Sequence, residues 1–166
     1  HYLSACAMMY AATGDTKFKE RVGYMVSELK ACQAARPDGR LTAFPDADRI
    51  FGEISQGEIR SQGFDLNGSW VPWYTVHKVL AGLLDAHQWC QSADALTIAA
   101  HLSDWAITVT KNLDDEKWQR MLACEFGGMN ESLAELSQRT GEQKYLALAR
   151  KFDHKAIQDP LGRGDG

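Results

Sequence analysis

One turn occurs twice in this chain, and it limits the possible folds more than any other feature. Ala12-Thr13-Gly14-Asp15-Thr16-Lys17-Phe18 is echoed by Arg139-Thr140-Gly141-Glu142-Gln143-Lys144-Tyr145. Both read Thr-Gly-acid-x-Lys-aromatic between two segments of helical periodicity. Gln91-Ser92-Ala93-Asp94-Ala95-Leu96 fills the same role without the glycine. Helix pairs joined by a common turn are the mark of a helical repeat. Each hairpin must bury its apolar stripe against its neighbours, so the hairpins stack side by side into an arc. No strand alternation is evident, and the expected fold class is all-α.

The stripes define the helices. Residues 1–12 place Leu3, Cys6, Ala7 and Tyr10 on one face. Residues 17–35 form an amphipathic helix burying Phe18, Val22, Met25, Val26 and Leu29. Pro72 suits the first turn of a third helix, whose stripe is Trp73, Val76, Leu80, Leu83 and Leu84. Residues 93–112 form a fourth, capped by Ser92 or Asp94. Asp114-Asp115-Glu116 opens a fifth, with acids suited to a helix N-terminus. Cys124 to Gly128 break the pattern before Met129, Leu133 and Leu136 resume it. Tyr145 to Ile157 reads as the last helix, stopped by Pro160.

The chain of 166 residues reads as one domain, residues 1–166, with a long irregular loop at 36–69. Phe44, Ile50, Phe51, Ile54, Ile59 and Phe64 in that loop are expected to anchor it over one end of the domain, with a helical turn or two around 46–54. A net charge of −4 offers no basic footprint for nucleic acid, and no apolar run approaches membrane-spanning length. His1 begins inside an apolar stripe, so a fragment or processed product is expected. Cys6, Cys32, Cys90 and Cys124 form no CxxC pair. The first three are expected as small buried helix residues. His87-x-x-Cys90 offers two metal ligands at helical spacing, with no third in view.

The richest chemistry stands at Glu125-Phe126-Gly127-Gly128-Met129-Asn130-Glu131. Glycines there let the backbone turn sharply and let a ligand approach, and the next helix presents free N–H groups. Asn130 and Glu131 add an amide and an acceptor, a set suited to a polyhydroxylated ligand. Read locally, it is also a helix break with a capping box. His77 lies on the apolar stripe, where a histidine is commonly a satisfied core residue. It also follows Trp70, Trp73 and Tyr74 at a loop-to-helix junction, where ligand groups collect.

Several stretches together resemble the catalytic domain of the β-L-arabinofuranosidase-like glycoside hydrolases, family 127 and its relatives. They are His1-Tyr2-Leu3-Ser4-Ala5, Thr13-Gly14-Asp15, Trp70 to Lys78 (WVPWYTVHK), Ala81 to Ala86 (AGLLDA), Glu125 to Glu131 (EFGGMNE), Thr140-Gly141, Lys144-Tyr145-Leu146 and Asp159-Pro160-Leu161. The resemblance implies an (α/α)6 barrel of six-hairpin type, of which this chain would form about half the ring. It implies a retaining glycosidase acting on terminal L-arabinofuranosyl units of plant-type glycans. The nucleophile would be a cysteine thiolate in a zinc site, with a glutamate as acid/base. Those residues are expected C-terminal to this stretch, and none of the four cysteines matches their motif. No catalytic residue or metal ligand is therefore assigned here. The segment is expected to supply sugar-binding wall: His1, Trp73, Tyr74, His77, Asn130 and Glu131 at the cavity mouth, with Glu125, Gly127 and Gly128 in support.

Two other readings compete. One is a non-catalytic all-helical module binding a glycan or peptide, which would need a polar cap at each end. The other is an acid/base enzyme complete around Glu125, Glu131 and His77, which would need those groups within hydrogen-bond reach of one another. The enzyme-part reading adds an exposed apolar edge and self-association through it. It predicts a carbohydrate substrate and neither nucleic-acid nor membrane partners. An extracellular or periplasmic location would suit a bacterial glycan-degrading enzyme.

Overall fold

The structure is a computed structural model describing residues 1–164. Asp165 and Gly166, the end of the glycine-rich tail, lie outside the described residues. The helices are α1 (Tyr2–Thr13), α2 (Thr16–Ala34), α3 (Ala47–Ser55), α4 (Pro72–Cys90), α5 (Ala93–Thr110), α6 (Asp115–Leu122), α7 (Met129–Thr140), α8 (Gln143–Lys151) and α9 (Lys155–Arg163). The all-α, helical-hairpin reading holds. Among the described residues no helix is long and apolar enough to cross a membrane.

The repeated turn has repeated geometry. Gly14 and Gly141 take φ of 68° and 78° at the ends of α1 and α7, a left-handed conformation that costs a side chain energy. Thr13 and Thr140 donate their hydroxyls four residues back, to Met9 and Leu136 at 2.6 and 2.8 Å, and accept from the N–H of Asp15 and Glu142. Lys17 and Lys144 each set an ammonium about 5 Å from the adjacent aromatic ring, 5.0 and 4.9 Å from the centroids of Phe18 and Tyr145.

The hairpins α1/α2, α4/α5 and α7/α8 stack in two layers. In the first layer α1 packs on α4 and α4 on α7; in the second α2 lies against α5. Helix α8 joins the second layer where Lys144 pairs with Asp104 at 2.7 Å. The first-layer helices all run the same way. Contacts climb from His1 beside Tyr74 to Leu3 against Gly82. They climb again from Gly128 bonded to His77 to Arg139 bonded to the Leu84 carbonyl. The N-terminal ends of α1, α4 and α7 therefore share one end of the domain.

Several expectations need correction. The 36–69 segment holds more than a turn or two of helix. After α3 come three two-residue strands, β1 (Ser61–Gln62), β2 (Asp65–Leu66) and β3 (Ser69–Trp70), paired as an antiparallel meander in that order. Its anchors Ile50, Phe51, Ile54 and Ile59 are buried, but Phe64 is exposed. The single helix expected over 145–157 is two, α8 and α9. Gln119 of α6 holds the break open, donating to the Asp153 carbonyl at 3.0 Å and accepting from the Lys155 N–H at 2.9 Å. Pro160 lies inside α9, which buries none of its residues and leaves Ile157 and Leu161 exposed. Cys32 is exposed, whereas Cys6, Cys90 and Cys124 are buried.

Candidate functional site

The site grows from the Gly127-Gly128 break. Gly127 takes φ +65°, and a Cβ there would stand 2.3 Å from His77 Nδ1, far inside contact distance. The missing side chain lets His77 of α4 lie directly against the turn. Gly128 then donates its N–H to His77 Nδ1 at 3.1 Å. In a neutral imidazole this leaves the proton on Nε2. Glu125 braces the same turn from outside, its Oε1 accepting from the Gly127 N–H at 2.7 Å.

At Gly128 the missing side chain lets two polar groups close in on the backbone. A Cβ on Gly128 would meet Glu131 Oε2 and His77 Nε2, each at 3.2 Å. An N–H donor and a carboxylate acceptor thus flank one glycine at the first turn of α7, where backbone N–H groups have no intrahelical partner. His77 is 7% exposed. Burial, and next the neighbouring Lys78, push its pKa down to about 4, against a smaller upward pull from Glu125. It is neutral at pH 7, as its acceptor role toward Gly128 requires.

Tyr74 lies one helical turn before His77, ring edge to ring face at 6.3 Å. Its hydroxyl is 3.2 Å from His1 Nε2. His1, Leu3, Leu29, Tyr74, Thr75, Lys78 and Val79 line a cavity of about 290 Å³ between the α1 and α4 ends. Asn130 stands apart from the histidines. Its Oδ1 accepts from the Glu131 N–H at 3.0 Å, and the pair faces a shallow cavity toward α8, lined by Leu146, Arg150 and Asp153 among others.

Trp73 is not at the mouth. It is 1% exposed and sits in an aromatic core, with ring centroids 5.2 Å from Phe51, 5.9 Å from Trp105 and 5.4 Å from Phe152. Its indole N–H points at the Met121 sulfur, 3.1 Å away. The reason is helical phase: Trp73 shares the buried stripe of Val76 and Leu80, and Tyr74 is turned about 100° away from it.

The alternative chemistry finds little support in this geometry. The three groups expected of a self-contained acid/base enzyme gather around the Gly-Gly turn, but among the described residues no hydrogen bond joins His77 to Glu125 or Glu131. His87 Nδ1 is taken up at 2.9 Å by Arg139, which also donates to Leu84. Burial, then the Arg139 charge, lower its pKa. Cys124 lies buried under the β-meander, and burial pushes its thiol up to about 11. It is a protonated, inert thiol at neutral pH. Among the described residues no three His, Cys, Asp or Glu side chains gather where they could hold a metal ion.

The sequence placed Trp70 at the aromatic junction but did not pair it with Phe64. Trp70 is 72% exposed and stacks on Phe64. The Asn67-Gly68 dipeptide was the available signal, since it marks a tight hairpin turn.

Residues 1–165 match the family model described as Beta-L-arabinofuranosidase, GH127 catalytic domain. A comparison with curated proteins gives no match. The chain belongs to the GH127 catalytic-domain family, glycoside hydrolases of the β-L-arabinofuranosidase type.

Proposed function

We propose that, within a hydrolase of this family acting on terminal L-arabinofuranosyl units of plant-type glycans, this chain supplies the wall that binds the terminal sugar. The observation that carries the reading is the donor–acceptor pair at Gly128. His77 Nε2–H and Glu131 Oε2 lie on the same glycine, each 3.2 Å from the point a Cβ on Gly128 would occupy, so one sugar can meet both. Two neighbouring hydroxyls on a sugar need one donor and one acceptor of that kind. Tyr74 and His1 extend the wall toward α1, and Asn130 toward α8.

The pair is preorganised. His77 is held by the Gly128 N–H and Gly127 by Glu125, so binding costs little reordering. Neutral His77 donates from Nε2 without bringing a charge that would need a counter-ion. We take Glu131 as an acceptor rather than a general acid; the neighbouring carboxylate, Glu125, is engaged by the Gly127 N–H. We assign the zinc and the cysteine nucleophile implied for the family to none of these residues. The exposed Ile157 and Leu161 of α9 are the apolar edge through which we propose self-association.

Calorimetric titration of the full-length protein with methyl β-L-arabinofuranoside tests the reading. His77→Ala and Glu131→Ala should each weaken binding about tenfold or more, since each removes a hydrogen bond worth about 1–3 kcal/mol. Unchanged affinity in both variants would refute it.

A further inference from the structure

The meander ahead of α4 carries two large rings in solvent. Trp70 is 72% exposed and Phe64 is 55% exposed, and their rings stack with centroids 5.4 Å apart at 28°. Burial of such rings would favour folding, so their exposure is not explained by the stability of this domain.

The pair is rigidly built. Gly63-Phe64 and Asn67-Gly68 form the two tight turns between β1, β2 and β3. Asn67 is buried and ties the second turn down. It accepts from the Arg60 N–H at 2.8 Å and donates to the Glu58 carbonyl at 2.8 Å and to Glu53 at 3.0 Å. Phe64 and Trp70 are brought together where the Phe64 carbonyl accepts from the Val71 N–H at 2.9 Å.

Val71 is the hinge between this pair and α4. It sits at φ 38°, ψ 57°, a left-handed conformation that a β-branched residue adopts only under strain of about 1–3 kcal/mol. That reversal leaves Trp70 outside while Trp73, two residues beyond Val71, enters the core. The platform is joined to the sugar wall along the chain. Trp70 precedes Tyr74 by four residues, and the Val71 backbone hydrogen-bonds the thiol of Cys124, directly before Glu125. Asp65 and Gln62 are exposed at its rim.

We propose that the Phe64–Trp70 platform is a second carbohydrate subsite, holding the sugar unit adjoining the terminal one in the glycan. Sugar rings present C–H groups on their faces and hydroxyls at their edges. A flat exposed aromatic with a carboxylate and an amide at its margin complements both. The proposal rests on the wall reading above, because it takes the terminal unit to be seated at Gly128.

The test uses the full-length protein with two probes: methyl β-L-arabinofuranoside, and a disaccharide bearing the same terminal unit. The wild type should bind the disaccharide about five- to tenfold more tightly, the value of one stacked ring. Trp70→Ala should bring that ratio close to one, Phe64→Ala should reduce it, and Trp70→Tyr should keep most of it. A wild-type ratio of one would overturn the proposal. So would a ratio unmoved by Trp70→Ala, or a Trp70→Ala melting point lowered by several degrees, the mark of rings packed under further polypeptide. His77→Ala separates the two readings. If it leaves methyl glycoside binding intact, the wall reading fails and this proposal with it. If it abolishes that binding and Trp70→Ala changes nothing, the platform alone is wrong.

Discussion

Gly127→Ala is the sharpest single perturbation of this site. Two costs arise, and they can be separated. The first is conformational: at φ +65° any L side chain suffers about 1–2 kcal/mol. The second is steric. The new Cβ would stand 2.3 Å from His77 Nδ1 and 3.1 Å from Tyr74 Cδ2. His77 is buried on a rigid helix, so it must tilt or the turn must open. Either movement breaks the bond from the Gly128 N–H, worth about 0.5–1.5 kcal/mol net and more if the imidazole is left buried without a partner. The expected total is about 2–4 kcal/mol. For a chain of this size that is a fall in melting temperature of roughly 5–15 °C.

The control is Gly14→Ala. Gly14 has nearly the same φ, +68°, and nothing within 4 Å of its would-be Cβ. It should show only the conformational cost, about 1–2 kcal/mol. Gly141→Ala, at φ +78° and equally open, serves as a second control. Urea unfolding of the three variants gives the differences directly. Gly127→Ala should lose at least about 1 kcal/mol more than either control and should also lose sugar affinity. Equal losses in all three would show that His77 does not rest against the Gly-Gly turn.

Other outcomes follow from the same packing. Gly82→Ala should destabilise by about 1–3 kcal/mol in thermal unfolding, because its Cβ would meet Leu3 Cβ at 3.1 Å where α1 and α4 touch. Asn67→Ala should lose about 2–4 kcal/mol in urea unfolding, since it strips partners from Arg60 and Glu58 and keeps a positive φ; Asn67→Gly should recover the backbone part only. Phe152→Ala should cost about 3–5 kcal/mol, as the ring is fully buried against Trp73 and Trp118. Stability should also depend on His77. Its folded pKa, about 4, lies below the ordinary 6.5, so the unfolded chain binds more protons between those values. Its contribution is complete above pH 6.5 and is lost as pH falls toward 4. The loss is at most about 3 kcal/mol, and His77→Gln should flatten that part of a pH-stability profile.

The sequence was most legible where local chemistry decides the outcome. The Thr-Gly-acid turns, the Asp15, Ser92 and Asp114 caps and the α4 stripe could all be read from neighbouring residues. It was least legible where a distant partner decides. No glycine or proline stands at Asp153-His154, and Phe152 prolongs the stripe of Tyr145, Leu148 and Ala149. Only Gln119, thirty-odd positions away, ends α8 there. Strands of two residues are too short for alternation to register, although Asn67-Gly68 announced a turn. At the aromatic junction, composition suggested three rings facing a ligand. Helical phase sends Trp73 inward, and the strain at Val71 keeps Trp70 outside. The Gly-Gly motif marked the site, but its use of His77 as a packing partner depended on the α4–α7 contact.

The two ends of the domain are built differently, and that difference bears on where recognition can evolve. Each hairpin closes with two residues: Gly14-Asp15, Gln91-Ser92 and Gly141-Glu142. The chain enters α4 and α7, by contrast, through long segments, residues 35–71 and 111–128, that carry α3, the meander, α6 and the Gly-Gly break. Because α1, α4 and α7 run in parallel, both segments arrive at the end where their N-termini lie. The short turns set the hairpin register, so changes there act on stability. The entering segments rest on helices already fixed at their far ends, so they can change shape at modest cost to the core. Apart from His1, every residue placed in the sugar wall lies in or beside an entering segment or on the first turns of the helix it feeds. Substitutions in the two-residue turns should therefore leave ligand affinity per folded molecule unchanged, and substitutions in residues 60–78 and 124–131 should alter it even where stability is preserved.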